Sequence, residues 1–474
     1  MPKTTPPVPA VRPNALRRLP LVWSLMLLAC VAAPTDSAHG QALVVRDGQF
    51  TQNGQEYRGL GVNYYSAFLR TLRDDGDGNP NTFDRSFDAG FADLGASGIP
   101  FARINAGGFW PDDWALYQND KTEYFRRFDA VVDSAQAHGV QLVPTLFWNH
   151  YSIPDLFPDE AVSAWGDPNS QTRQFADQYA ADVVSRYADR DTILMWEFAN
   201  EFNLGQDFAT QPTDARINVN AGTPAQRTDA DLVSSDAVRD ALADFAQTVA
   251  DLDPTGRAVS SGHSVERTNA FFRRNRDTPG TNPDTAAEFI TMTADDHAAV
   301  DTLSVHAYYH SLLGISNQAQ TDPTRRFTPD LDADYGDVLD VLLTASDQTG
   351  KPLFLGEFGV SDGDNFNYDV PGDPTPETTT TQERLEYLLS LLSEKEIPLA
   401  AIWVYDDINA DRAEFNIPID PPGAALPDDP FGRRIQLERI AEVNADWVAS
   451  IPEPGSLATL TLFLGLAAAR RRSA

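Results

Sequence analysis

The middle of the chain alternates between short apolar runs and longer stretches in which apolar residues recur every three or four positions. Continuous apolar runs are typical of parallel strands that are buried on both faces of a sheet. Eight such runs predict strands at 57–63, 101–105, 141–147, 192–198, 258–261, 302–306, 353–357 and 400–405. The pattern therefore indicates a buried, parallel β-sheet.

The stretches between the runs have the spacing of amphipathic helices. Phe87, Phe91 and Leu94 follow the i, i+4, i+7 pattern, and most of the other intervening stretches repeat it, although 265–299 is polar and irregular. Gly98 stands where the first of these helices should end. Eight strand–helix units in this order predict an α/β chain that folds as a (β/α)8 TIM barrel.

Two further features concern the ends of this barrel. The segment 44–50, with Asp47-Gly48 near a turn, is expected to form the first arm of a β-hairpin that closes the barrel's bottom. Three long loops rich in Gly, Pro, Asp and Asn, at 71–84, 203–232 and 361–380, follow predicted strands. We expect them on the face where the barrel strands end, which carries the active site in barrel enzymes.

The bulk composition narrows the function classes. The 474 residues carry a formal charge of −33 and are 42% hydrophobic, which fits one barrel with a large core. The electrostatic field of this negative charge repels phosphate groups, which argues against nucleic acid or an anionic membrane as a partner. A neutral polysaccharide is not repelled by this field. The only cysteine, Cys30, lies near the N-terminus, so the barrel has no disulfide, thiolate nucleophile or cysteine-based metal site.

Both ends of the chain indicate export. Residues 1–42 combine arginines with a short apolar run, which predicts a signal peptide; a lipoprotein signal with its lipid on Cys30 is the alternative. Residues 450–474 contain Pro452-Glu453-Pro454, an apolar stretch and a final arginine cluster, and they resemble the PEP-CTERM sorting signal. A plain tail anchor is the alternative. The catalytic domain would span 43–449 and lie outside the cytoplasm or at the surface of a bacterium.

Two glutamates stand at the ends of two of the predicted strands. Glu201 ends the sequence Trp-Glu-Phe-Ala-Asn-Glu, and Glu357 is the central residue of Leu-Gly-Glu-Phe-Gly. A pair of facing carboxylates is what retaining glycoside hydrolysis requires. Glu197, which lies inside the fourth predicted strand, is interpreted as a structural ion-pair or hydrogen-bond partner and not as the acid.

Other strand ends contribute amides, imidazoles and aromatic rings, which suit sugar hydroxyls and sugar faces. These candidates are Asn63, Arg103, Trp148, Asn149, His150, Asn200, His306, Tyr308 and Trp403. A second group has either a sugar-binding or a packing role: Tyr64, Trp110, Trp165 and Tyr309. We expect His263 to be a hydrogen-bonded loop residue and not a ligand-binding one. We expect Asp406 and Asp407 to be solvated residues at the rim of the barrel that do not contact the sugar.

No metal or cofactor is predicted. The seven histidines are scattered, and neither His-x-His nor His-Glu-x-x-His spacing occurs. Asp75, Asp77 and Asn79 match a calcium loop only loosely, because Pro80 and Ser86 replace the required glycine and glutamate. We interpret this segment as a solvated turn.

Taken together, these residues resemble glycoside hydrolase family five, the cellulase and mannanase family of clan A, over about residues 43–445. The resemblance is carried by Arg103 after the second strand, Asn200-Glu201 after the fourth, His306-Ala307-Tyr308 after the sixth, Glu357 after the seventh and Trp403 after the eighth. The segment Trp148-Asn149-His150 is slightly closer to mannan-acting relatives, and its histidine is displaced from the position common in cellulases.

The resemblance implies a retaining double displacement. Glu201 would be the acid/base and Glu357 the nucleophile, with carboxyl carbons about 5–5.5 Å apart. Repulsion by an ionised Glu357 would raise the pKa of Glu201.

The resemblance also implies roles for the neighbours of the two glutamates. Arg103 and Tyr308 would orient Glu357, and Asn200 would bind the sugar 2-hydroxyl. His306 would contact the nucleophile network or the sugar, and Trp403 would form the floor of the −1 subsite.

We therefore expect a secreted endo-β-glycanase that acts on a β-1,4-linked polysaccharide such as cellulose or mannan. It would need no cofactor, act as a monomer and contact the membrane only transiently, through the C-terminal sorting helix. Two alternatives stay open: an exo-acting β-glycosidase whose long loops wall off a pocket, and a catalytically silent carbohydrate-binding barrel.

Overall fold

The computed structural model describes the greater part of the chain between residues 42 and 450. The described residues are 42–73, 82–210, 216–275, 283–308, 335–360, 380–408, 415–419 and 433–450. The predicted signal peptide, the predicted C-terminal signal, Tyr309, Asp75 with its neighbours and most of loop 361–380 lie outside them.

Eight parallel strands form the central sheet. They are β4 (Gly59–Asn63), β5 (Phe101–Asn105), β6 (Gln141–Phe147), β7 (Trp196–Ala199), β8 (Val259–Ser260), β9 (Leu303–His306), β10 (Leu353–Phe358) and β11 (Leu399–Ile402). Neighbouring strands follow the order β8-β7-β6-β5-β4-β11-β10-β9, so the last strand returns to pair with the first. The predicted barrel is confirmed.

The seam between β8 and β9 is joined by side chains. Thr302 Oγ1 donates to the Val259 carbonyl at 3.1 Å, and the Val259 N–H donates to the Asp301 carboxylate at 3.2 Å. These bonds draw together the two strands at the ends of the sheet order, so the sheet closes into a nearly complete cylinder. The carboxyl ends of its strands converge at one face.

Helices follow the strands and cover the barrel. Their bounds are α1 Ser66–Leu72, α2 Phe87–Ala96, α3 Ala115–Asn119, α4 Lys121–Ala137, α5 Gln171–Tyr187, α6 Ser235–Leu252, α7 Ala270–Asn275, α8 Ala286–Asp296, α9 Tyr335–Thr349, α10 Thr381–Glu394 and α11 Arg434–Ser450. Gly98 adopts positive φ just beyond α2, which confirms the predicted helix end, and Gly139 and Gly350 do the same just beyond α4 and α9. Among the described residues, none of these helices has the length and apolar content needed to span a bilayer.

A three-stranded antiparallel sheet precedes the barrel, formed by β1 (Val44–Arg46), β2 (Gln49–Gln52) and β3 (Gln55–Glu56). Asp47 and Gly48 form its first turn with φ of 51° and 77°, so segment 44–50 holds most of both arms of the hairpin and not its first arm alone. Leu43 and Phe50 pack against barrel-core residues such as Phe101. The hairpin therefore closes the bottom of the barrel, as expected.

The last helix is tied to the first barrel strand. In α11, Asn444 accepts from the Leu60 N–H through Oδ1 and donates to the Leu60 carbonyl through Nδ2, both at 2.8 Å. Asn444 and Leu60 are buried, and they are separated by 384 positions. This pair of bonds ties the C-terminal helix to β4.

Candidate active site

Arg103 is the centre of the polar network at the carboxyl face of the barrel. Its side chain rises from β5, is fully buried, and donates to four acceptors. Nε reaches Glu197 Oε1 at 2.5 Å, and Nη1 reaches Glu357 Oε1 at 2.8 Å and Asn63 Oδ1 at 2.9 Å. Nη2 reaches Asn200 Oδ1 at 2.9 Å. One guanidinium thus positions four residues from the ends of three strands, β4, β7 and β10.

Glu197 is held entirely within the protein. It accepts from Arg103, from Thr145 Oγ1 at 2.6 Å and from Ser260 Oγ at 2.8 Å, and it is fully buried. Burial lowers the pKa of Arg103, but Glu197 and Glu357 raise it by more, so the guanidinium remains a permanent cation. The interpretation of Glu197 as an ion-pair residue is confirmed.

Glu357 has a donor on each carboxylate oxygen. Arg103 bonds Oε1, and the Tyr308 hydroxyl bonds Oε2 at 2.8 Å. Burial, and then the charge of Glu357, raise the pKa of Tyr308 well above its usual value, so this phenol stays a donor. The two bonds hold the carboxylate in one orientation on β10.

Glu201 faces Glu357 across the imidazole of His306. The His306 Nδ1 atom lies 3.2 Å from Glu201 Oε1 and 3.5 Å from Glu357 Oε1. One carboxylate oxygen from each glutamate and a ring nitrogen of His306 all lie within 4.8 Å of one another. The fold therefore brings the two glutamates together, as their positions at strand ends predicted.

The backbone of Glu201 is in an unusual conformation. Its φ of 56° and ψ of 33° fall in the left-handed region, which few residues other than glycine adopt. The Glu201 N–H donates to the Gly262 carbonyl at 2.8 Å, beyond the end of β8. Such local strain persists where neighbouring bonds fix the backbone, and it often marks functional sites.

The pKa of Glu201 lies below its ordinary value. Burial raises it, but the hydrogen bond and electrostatic attraction of His306, followed by the charges of Arg216 and Arg103, lower it by more. This finding differs from the expected rise, because the expectation considered Glu357 and overlooked the cations. Arg216 was missed although it lies in the long loop 203–232 that follows the strand of Glu201.

Aromatic rings line the wall beside Arg103. Trp148 packs over the guanidinium at 4.5 Å, and the half-buried Trp403 stacks beside Trp148 with ring centres 6.1 Å apart. Tyr65, which the sequence interpretation did not single out, contacts both indole rings. Tyr65 lies two residues after β4, and this position near a strand end could have indicated that it belongs to the site. Trp403 thus presents an indole face on a rigid aromatic base.

Asn149 and His150 are engaged in loop contacts. Asn149 donates to the Phe109 carbonyl at 2.8 Å and accepts from the Tyr151 N–H at 3.2 Å. His150 packs on Tyr151 with ring centres 4.0 Å apart, and burial, followed by the charges of Arg216 and Arg227, lowers its pKa to about 3. The described contacts of this pair organise the loop after β6 and do not reach the two glutamates.

The structure shows the contacts of several residues for which the sequence allowed either a sugar-binding or a packing role. Trp165 is buried and donates to the His150 carbonyl, so it packs beneath a loop. Tyr64 is buried and donates to Asp406 at 2.6 Å, and Asp406 also pairs with Arg70 at 2.9 Å. The assignment of Asp406 to a solvated rim is therefore wrong. Trp110 is half-buried and keeps both interpretations.

Two other features depart from the sequence interpretation. The favoured interpretation of His263 as a hydrogen-bonded loop residue is wrong: the ring is fully buried, and neither nitrogen has a partner among the described residues. Glu201, His306 and Glu357 also carry the donor atoms of a cation site. Arg103 and Tyr308 already donate to the two oxygens of Glu357, however, so these contacts account for its carboxylate without an ion.

Comparison with known proteins agrees with this geometry. Residues 82–407 match the family model described as "Cellulase (glycosyl hydrolase family 5)". The chain is 27% identical over 191 residues to "Probable mannan endo-1,4-beta-mannosidase A" of Aspergillus flavus, a match that covers 36% of this chain and 46% of that protein. The match thus spans about half the length of this curated relative.

Solved structures share the fold. An endo-1,4-beta-mannanase from Rhizomucor miehei superimposes with a TM-score of 0.54 at 16% identity, covering 86% of this chain and 100% of the other. An endo-beta-1,4-mannanase from Thermotoga petrophila gives a TM-score of 0.52 at 16% identity, covering 85% of this chain and 79% of the other. The family model matches well over half of the sequence, and the chain therefore belongs to glycosyl hydrolase family 5.

Proposed function

We propose that this glycoside hydrolase is a retaining endo-β-1,4-glycanase whose preferred substrate is a β-mannan. The observation that carries the proposal is the close pairing of Glu201 and Glu357, one oxygen of each lying within 4.8 Å of the other. Carboxyl groups about 5–5.5 Å apart are typical of retaining enzymes, whereas inverting enzymes separate them by about 6.5–9.5 Å. The names of the matched fungal relatives support mannan as the substrate.

In the first step, protonated Glu201 would donate its proton to the glycosidic oxygen while Glu357 attacks the anomeric carbon. The glycosidic bond breaks, the leaving sugar takes the proton, and a glycosyl-enzyme ester forms on Glu357. Arg103 and Tyr308 orient the attacking carboxylate through one bond to each oxygen. This preorganisation lowers the entropic cost of the attack.

In the second step, the Glu201 carboxylate would take a proton from water, and the water oxygen would attack the anomeric carbon. The ester bond breaks and Glu357 leaves as a carboxylate, so two inversions restore the original configuration. Asn200 would bind the 2-hydroxyl of the sugar, and Trp403 would stack against the sugar in the −1 subsite.

The cellular setting is part of the proposal. The two predicted terminal signals would direct the protein to export and to retention at or near the cell surface, where a polymeric substrate is available. We propose a monomer that needs no cofactor and whose partner is the polysaccharide.

The test of substrate and mode of action is a panel of galactomannan, glucomannan and carboxymethylcellulose. We expect the fastest release of reducing sugar from a mannan, with a mixture of short oligosaccharides as the early product. Mannose as the sole early product would instead identify the exo-acting alternative. Binding without hydrolysis of any of these polymers would identify the silent barrel.

The test of mechanism is chemical rescue by azide with an activated aryl glycoside. In Glu201→Ala, azide should intercept the glycosyl-enzyme and give a product of retained β configuration. In Glu357→Ala, azide should attack the substrate directly and give the inverted α product. Glu197→Ala is the matched control because Glu197 also bonds Arg103 but does not face the substrate; azide should not rescue it. The same rescue product from both variants of the pair would contradict the assignment.

A further inference from the structure

A buried histidine outside the catalytic pair lies beside two buried acids. His263, Glu266 and Asp296 are exposed by 0%, 2% and 1%, respectively. A ring nitrogen of His263 and one carboxylate oxygen from each acid all lie within 4.8 Å of one another. The proposed hydrolysis uses none of these three residues.

The imidazole of His263 is the part of this cluster that needs a ligand. Neither of its nitrogens has a hydrogen-bond partner among the described residues, although a buried polar group in a folded protein is nearly always paired. Burial, and then the charges of His297 and His306, lower the pKa of His263 well below its usual value. The ring is therefore neutral at neutral pH, and a neutral imidazole is the form that binds metals.

The two acids carry charge that their surroundings only partly balance. Arg239 Nε donates to Asp296 Oδ1 at 2.5 Å and forms an ion pair with that carboxylate. Glu266 and Asp296 are both buried, and their carboxyl groups lie within hydrogen-bonding reach of each other. Two buried carboxyl groups side by side thus favour either a retained proton or a bound cation.

We propose that His263, Glu266 and Asp296 bind one divalent transition-metal ion, for which zinc is the appropriate probe. An imidazole nitrogen with two carboxylate oxygens suits zinc and its neighbours, whereas magnesium and calcium prefer oxygen ligands throughout. Donor atoms around zinc lie about 3–4 Å apart, given bonds of about 2.0–2.2 Å. Small side-chain rotations would bring the observed atoms to that separation.

The position of this site gives the ion a structural role. His263 and Glu266 belong to the segment 262–266, whose backbone bonds Glu201 after β7 and His306 at the end of β9. The Gly262 carbonyl accepts from the Glu201 N–H at 2.8 Å, and the Val265 N–H donates to the His306 carbonyl at 3.0 Å. An ion bound to this segment would therefore stiffen the support of the acid/base.

The experiment uses the full chain, expressed in zinc-supplemented medium because the three side chains are buried. Metal content is measured after gel filtration, and Tm is measured with and without zinc in the growth medium. We expect about one zinc per chain and a higher Tm for the zinc-loaded protein. His263→Gln and Asp296→Asn should each lower zinc affinity at least about 100-fold, because outer-shell partners alone are worth about 10–100-fold.

Glu357→Gln is the matched control, since it alters the catalytic cluster and leaves the proposed ligands in place. It should keep one zinc and the full gain in Tm. If His263→Gln does not fold, Glu266→Gln replaces it in the comparison. Protein without zinc, which would indicate a bridging water or a retained proton, overturns the proposal. Zinc that survives His263→Gln, or that is lost in Glu357→Gln, overturns it equally. Hydrolysis is measured separately, so the proposed function can fail without affecting this result.

Discussion

At the scale of single residues, the surroundings of Glu201 favour its ionised form, although its proposed role is to donate a proton. The proposed first step needs its carboxyl protonated, yet His306, Arg216 and Arg103 lower its pKa. The protonated fraction of the free enzyme therefore grows only as the pH falls. We expect kcat/KM to decline on the alkaline side from an acidic optimum.

Replacing His306 should move that alkaline limb. His306→Asn removes the hydrogen bond and the attraction that lower the pKa of Glu201, so the limb in kcat/KM should shift to higher pH. The measurement is a pH profile of kcat/KM on an aryl β-mannoside. Tyr308→Phe is the control: it removes a bond to Glu357 Oε2, so it should lower the rate and leave the limb in place. An unmoved limb in His306→Asn would contradict the assignment.

The neutral, buried His150 should make the fold sensitive to acid. Its pKa is lowered to about 3, whereas the unfolded chain binds a proton near 6.5. Unfolding therefore takes up a proton between these values, so the free energy of unfolding rises with pH from about 3 to 6.5 and is lost on acidification.

His150→Gln should reduce this loss, which denaturant titrations at pH 7 and pH 4.5 will measure. His138→Gln, at the end of α4 on the surface, is the control and should behave as the wild type does. An equal loss of stability in wild type and His150→Gln would show that His150 is protonated without unfolding.

At the scale of elements, the end of β7 depends on a close approach by the segment after β8. Gly262 has φ +67°, and a Cβ there would lie 1.8 Å from the Ala199 carbonyl oxygen. The same glycine accepts the Glu201 N–H. Contact between these two strand ends therefore positions the acid/base.

Gly262→Ala should destabilise the barrel by at least about 3 kcal/mol, because backbone strain of about 1–2 kcal/mol adds to a clash that backbone atoms must relieve. Gly256→Ala is a matched control, since Gly256 has φ +69° and a Cβ added there would meet nothing within 4 Å. It should cost only the strain. Denaturant unfolding measures both variants, and equal losses would show that the approach to Ala199 is unimportant.

The strands could be predicted from the sequence because a strand that is buried on both faces appears as a continuous apolar run. Runs such as 101–105 and 141–147 match β5 and β6 at both ends, and the family resemblance implied the contact of Arg103 with Glu357 that the structure shows. The fourth run was longer than β7, because Ile193 makes only an isolated bridge to Leu142.

What the sequence did not reveal depends on the paths of loops. Arg216 reaches Glu201 from a long insertion, and its effect on the pKa has no periodic signal. His263 and Glu266 lie in the segment after β8, and they meet Asp296 at the last position of α8. Their spacing in the sequence matches no known metal motif.

At the scale of the whole molecule, the first barrel strand contacts the last strand and the last helix of the chain. β11 pairs with β4, and Asn444 of α11 binds both backbone groups of Leu60. The first strand is therefore held by the last strand and the last helix. Loss of either contact should affect the entire domain and not one edge.

Asn444→Leu should lower the free energy of unfolding by about 2–4 kcal/mol, because each buried backbone group left unpaired costs about 1–3 kcal/mol. Tryptophan fluorescence and circular dichroism should report one coincident transition at lower denaturant. Asn119→Leu is the control, since Asn119 is exposed and bonds only within its own turn; it should change stability by about 0.5 kcal/mol or less. Separate transitions by the two probes would contradict a single cooperative domain.

The two carboxylates on Arg103 have a consequence for the reaction cycle. When Glu357 becomes an ester in the proposed intermediate, its negative charge disappears, while the guanidinium remains buried and cationic. Glu197 does not react, and it keeps its bonds to Arg103, Thr145 and Ser260. It serves as the standing counter-ion through every stage, so no step leaves an isolated cation in the protein interior. Glu197, which takes no part in the bond changes, thus keeps the charge of Arg103 balanced while the covalent intermediate exists.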